Sequence, residues 1–100
     1  MDFDALLKEA SRYESRLRAH RRALHHIPEL GYEEHETHAY LMEHLRALAP
    51  DDLKTFARTG IRAVFRGDGT GRVIAFRSDI DALPIQEATG RDYASCHSGK

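Results

Sequence analysis

One cysteine is too few for an intrachain disulfide, so Cys96 points to a reducing compartment, and the cytoplasm is the expected location. No apolar run approaches the roughly 18 residues needed to cross a bilayer, so no membrane association is expected. The amino terminus, MDFDALLKEA, is acidic and amphipathic and lacks the basic start and continuous apolar stretch of a secretory signal. A dominant charge is missing too. Fifteen Lys plus Arg stand against sixteen Asp plus Glu, a formal charge of -1 that supplies no general attraction to nucleic acid or anionic lipid. Internal repeats and low-complexity tracts are absent. What is there is a chain of 100 residues with 41% hydrophobic and 31% charged residues, enough for one globular domain at most.

The balanced charge is unevenly spread. Arg12, Arg16, Arg18, Arg21 and Arg22 crowd the first helical stretch, and Glu33, Glu34, Glu36 and Glu43 the second. A phosphate-binding face is one reading of the arginines; the commoner one is the solvated side of an amphipathic helix.

From Leu6 the apolar or semi-apolar positions run Leu6, Ala10, Tyr13, Leu17, His20, Leu24 and Ile27, in steps of four and three, which predicts one face of a long helix. Asp2 or Asp4 can cap its start, and Pro28 stops it because the residue before a proline is pushed out of helical geometry. A second helix is expected after Gly31, with its glutamates against the positive end of the helix dipole, with Thr37, Tyr40, Leu41, His44, Leu45 and Leu48 inward, and with Pro50 as its end.

After Pro50 the period changes to two. Lys54 to Ala57, Ile61 to Arg66 and Arg72 to Ser78 read as three strands, joined by RTG and GDGTG turns. The glycines of the second turn resemble a phosphate loop, but such loops join a strand to a helix. In the third strand VIAF is apolar on both faces, as in a central strand covered from both sides. The two helices can cover one face; the polar tail ATGRDYASCHSGK offers no cover for the other. The expected class is therefore α/β, two helices followed by three strands, forming the opening part of a larger domain.

The chemistry concentrates in RSDIDALPI. Asp79 and Asp81 stand two residues apart at the carboxyl end of the third strand, on one face, where open α/β sheets bind ligands. They can hold a metal, orient a metal-bound histidine or act as acid and base; equally, they can start an Asx-type turn before Pro84. His35 and His38 have spacing i, i+3 rather than the i, i+4 of a zinc helix, and read as solvated helix surface. His25 and His26 suit capping of the first helix's free carbonyls. Cys96 and His97, adjacent in a polar tail, are poorly placed to share one metal.

Taken in order, RRALHHIPELGYEEHET, TGIRAVFRGDG, IAFRSDIDALPIQEATG and YASCHSGK resemble the opening of bacterial amidohydrolases that include hippurate hydrolase, N-acetyldiaminopimelate deacetylase and the indole-acetyl-amino-acid hydrolases. The resemblance covers residues 18 to 100. It implies a zinc-exopeptidase-like, three-layer α/β catalytic domain with a smaller inserted dimerisation domain and a homodimeric parent. It also implies two divalent ions, zinc or manganese, that activate a water for attack on the amide of an N-acyl or N-aroyl amino acid, with a glutamate as general base. Where related peptidases carry His-x-Asp, this chain has Asp79 in the histidine's place and Asp81 in the aspartate's. Asp81 is thereby expected to orient a metal-binding histidine from behind, and Asp79 to line the site. The Met-His-Ala-Cys-Gly-His-Asp segment that follows in the family is not among these residues, so residues 1–100 are expected to be the amino-terminal portion of the catalytic domain, without metal ligands of their own and inactive alone. The rival expectation is a self-contained interaction module that pairs through its exposed sheet.

Overall fold

The computed structural model of the chain describes residues 2–100. Three helices and a hairpin follow one another: α1 (Phe3–Ser11), α2 (Glu14–His26), α3 (His35–Ala47), β1 (Asp52–Phe56) and β2 (Gly60–Val64).

The expected long first helix is interrupted. Asp2 does cap its start, its Oδ1 accepting from the Ala5 N–H at 3.1 Å. At Arg12 and Tyr13, however, the N–H groups reach back only three residues, to Glu9 and Ala10, and the helix tightens out of α geometry before resuming at Glu14. Neither proline nor glycine marks this break, so the spacing of apolar residues runs through it. Phe3, Leu6 and Leu7 stay exposed on α1.

The start of α3 is fixed by a residue outside it. The Glu29 carboxylate accepts from the Glu36 N–H at 3.1 Å, from the Thr37 N–H at 2.7 Å and from the Thr37 hydroxyl at 2.8 Å, satisfying amide donors that a helix leaves free. A carboxylate there also meets the positive end of the dipole. The inward face differs from expectation at three positions: Met42 is buried, whereas His44 is exposed and Leu48 is exposed beyond the helix end. His20 and Tyr40 meet between α2 and α3, Nδ1 to hydroxyl at 2.7 Å, with the His44 ring packed against both. Burial, and then the charge of Glu43, push the Tyr40 phenol above its ordinary range.

The hairpin pairs Asp52 with Val64 through Phe56 with Gly60, antiparallel. Its turn is Ala57–Thr59, one residue earlier than expected, with Ala57 and Arg58 at positive φ (48° and 71°). Gly60 is needed for close approach instead: a Cβ there would stand 2.8 Å from the Phe56 carbonyl oxygen. Lys54 lies opposite Arg62, and Asp52 separates the two like charges, binding Arg62 at 2.9 Å. That hydrogen bond, partly opposed by desolvation and aided by the nearby cations, lowers the Asp52 carboxyl below its ordinary value.

The third expected strand is not part of the sheet, which is two-stranded among the described residues. Residues 72–81 make no backbone hydrogen bond to any described segment, and Val73 and Phe76 are each 96% exposed. Two apolar faces and two free edges require neighbours on every side, and among the described residues no strand is hydrogen-bonded to this segment. The small core lies between α3 and β2.

Candidate functional site

Asp79, Asp81 and Phe76 lie along one wall of an open groove of about 990 Å³, with Leu45 of α3 and Thr55 and Phe56 of the hairpin on the others. The two aspartates differ in setting. Asp79 is ion-paired with Arg77, Oδ1 to Nη2 at 2.8 Å, on the exposed side. Asp81 faces the loop after α2: a Cβ on Gly31 would be 3.7 Å from its Oδ2. The next residue is tied to that loop, since the Ala82 N–H donates to the Glu29 carbonyl at 2.7 Å.

The loop Pro28–Gly31 is therefore a junction. Its Glu29 side chain, only 8% exposed, caps α3 while its backbone holds the end of RSDIDALPI. Burial alone would raise the Glu29 carboxyl; the Thr37 and Glu36 N–H groups and the Thr37 hydroxyl outweigh it and hold the group below its ordinary value. Glu34 locks the opposite side of the groove by accepting from the Thr59 hydroxyl in the hairpin turn, and this bond, against burial, likewise lowers its carboxyl. His38 completes the lock, Nδ1 at 3.0 Å from the Thr59 carbonyl and Nε2 at 3.2 Å from the Thr55 hydroxyl. It is a docking residue rather than solvated surface; His35 is exposed.

The tail crosses the same junction. His97 Nδ1 lies 2.7 Å from the Pro28 carbonyl and its Nε2 3.0 Å from Glu36. Cys96 Sγ lies 3.2 Å from His26 Nδ1, and His25 Nε2 2.5 Å from Glu87. His25 and His26 thus hold the tail and do not cap their own helix. Cys96 and His97 take separate partners despite being adjacent. These pairings connect residues 61 to 70 positions apart, and no local spacing encodes them.

The side chains do not fit a metal ion by themselves. Among the described residues no group of three or more His, Cys, Asp and Glu side chains converges on one point, and Asp79 is already committed to Arg77. No described helix is long and apolar enough to cross a membrane.

No family model matches the chain. It is 48% identical over 84 residues to N-acetyldiaminopimelate deacetylase of Streptococcus gordonii, covering 80% of this chain and 22% of that protein. With N-acetyldiaminopimelate deacetylase of Limosilactobacillus fermentum it shares 51% over 87 residues, covering 79% and 22%. Among solved structures it superposes on a dinuclear metal binding peptidase of the M20 family from Bacillus subtilis, with a TM-score of 0.79 and 38% identity over 89% of this chain and 25% of that one. The chain thus spans about 22% of the length of the curated relatives it matches.

Proposed function

We propose, since the chain is related to the amino-terminal part of the dinuclear-metal amidohydrolases, that it serves as the positioning part of a catalytic domain that hydrolyses the amide bond of N-acyl or N-aroyl amino acids to a carboxylic acid and a free amino acid. The observation that carries this reading is the meeting of the two most specific motifs: RSDIDALPI ends against the loop of LHHIPELGYEE through Asp81 beside Gly31 and Ala82 on Glu29. One loop then holds both the start of α3 and the end of the segment that carries Asp81.

In this reading Arg72 to Ser78 is a central strand of a three-layer domain, residues 1–100 are its amino-terminal portion, and an inserted dimerisation domain belongs to a cytoplasmic, homodimeric parent. Two divalent ions, zinc or manganese, supply Lewis acidity there. This chain contributes position: Asp81 orients a metal-binding histidine supplied from elsewhere, and Asp79 lines the groove. Without converging ligands of its own, the 100-residue chain does not turn over substrate.

A chimera tests this directly. Residues 18–100 are grafted in place of the matching part of the Streptococcus gordonii deacetylase, and hydrolysis of N-acetyl-amino acids and hippurate is assayed with zinc or manganese present. The folded chimera is expected to be active, and Asp81→Ala to lower kcat by at least about 10-fold, the usual scale for groups behind metal ligands. A folded, metal-loaded but inactive chimera contradicts the assignment. Turnover by the purified 100-residue chain contradicts its inactivity.

A further inference from the structure

A second cavity, of about 340 Å³, lies away from the groove, between α2 and the tail, and shares no residue with it. Four guanidinium groups line it, Arg18, Arg21 and Arg22 from α2 and Arg91 from the tail, against one carboxylate, Glu87. Such an excess of cations is unexpected on a chain whose formal charge is -1. It arises because Arg21 and Arg22 follow Arg18 by three and four residues on the helix, and the tail returns to lay Arg91 beside them.

The cations are not used up by the fold. Arg18 pairs with Glu14 at 2.8 Å on the exposed side. The ion pairs among the described residues include none for Arg21, Arg22 or Arg91. The one acid is engaged elsewhere: Glu87 holds His25, the Thr89 hydroxyl and the Ser95 N–H at the junction of tail and helix. Arg22 lies over the Tyr93 ring, 4.6 Å from its centroid, and the edge-on His25 ring steadies that wall. The pocket is therefore braced by its own acid and aromatic, while three guanidinium groups form no ion pair among the described residues.

We propose that this cavity binds a small phosphoryl-bearing anion. A lone carboxylate offers one two-oxygen edge and satisfies one guanidinium fork, whereas a phosphoryl group presents three oxygens and up to two charges, the valence that several convergent arginines match. The cavity is partly open, and its volume of about 340 Å³ suits a compact metabolite-sized ligand rather than a polymer.

The test is a titration of the full 100-residue chain with pyrophosphate in about 50 mM salt, followed by calorimetry and by the arginine side-chain N–H resonances. Saturable one-to-one binding with a Kd below about 1 mM is expected, with shifts at Arg21, Arg22 and Arg91. Arg21→Gln with Arg91→Gln should weaken it by about 10-fold or more, while Arg62→Gln with Arg66→Gln, which removes the same charge elsewhere, should leave it within about twofold. Arg91→Gln alone, in the irregular tail, gives the same answer without touching a helix. Unsaturable binding, or equal weakening by the two charge-matched pairs, overturns the site. Citrate binding as tightly as pyrophosphate overturns the phosphoryl assignment, and affinity that grows with the length of an oligonucleotide overturns the small-ligand assignment. The outcome does not depend on the amidohydrolase reading.

Discussion

Glu29 joins two parts of the molecule: its carboxylate caps α3 and its backbone carbonyl holds Ala82. Glu29→Ala leaves buried donors at the head of α3 without a partner, and an unfolding free energy lower by about 1–2 kcal/mol is expected from urea titration. Glu29 and Glu34 both have folded-state carboxyls held below their ordinary values. Their stabilisation is present above the unfolded value, near pH 4.5, and is lost as pH falls through the lower folded values. Stability measured from pH 7 down to pH 3 should therefore drop steeply below about pH 4.5, and Glu29→Gln with Glu34→Gln should flatten that drop while lowering the neutral-pH plateau. A steep drop that persists in the double variant would place the acid sensitivity elsewhere. At this scale the sequence reveals residue types but not partners. Asp79 and Asp81 stand out by spacing, whereas the roles of Glu29, His38 and Cys96 depend on contacts made across tens of residues.

Among the elements, local physics decides what can be read. The end of α2 before Pro28, the helix after the GYEE turn and the hairpin around Thr59 all follow from periodicity and chain stops. The break at Arg12–Tyr13 does not, because it leaves the apolar spacing intact. The Arg72 to Ser78 segment has the composition of a buried strand but no hydrogen-bonded neighbour among the described residues; a strand's composition is local, whereas its pairing depends on other strands. Because Val73 and Phe76 are almost fully exposed, Val73→Lys with Phe76→Lys should leave the melting temperature within about 2 °C, the scale of surface substitutions. The same pair should reduce dye binding by exposed apolar surface and raise solubility. A large loss of stability would mean that the segment is packed in solution.

The whole molecule is too open for its mass. Its accessible surface of 8575 Å² compares with about 5,800 Å² for a compact monomer of 11.4 kDa, and its radius of gyration of 16.1 Å with about 13 Å. Apolar residues account for much of the difference, since Met42 is the one buried hydrophobic residue among those described. Small-angle scattering and sedimentation of the isolated chain should therefore yield either an expanded monomer near 16 Å or concentration-dependent association, with weak cooperativity on melting. A compact monomer near 13 Å with a sharp transition would show that the chain closes on itself.

The junction at Pro28–Gly31 also sets an order of events in time. Its contact with His97 and the neighbouring His26–Cys96 and His25–Glu87 pairings close loops of 62 to 70 residues, so they cannot form until Glu87, Cys96 and His97 have emerged from the ribosome. Until then the cap of Glu29 on Thr37, eight residues away, and the contacts His20–Tyr40 and Glu34–Thr59, 20 and 25 residues apart, are available to α2, α3 and the hairpin. The loop that gathers the tail is thus one whose own side chain can hold the head of α3 before the tail exists.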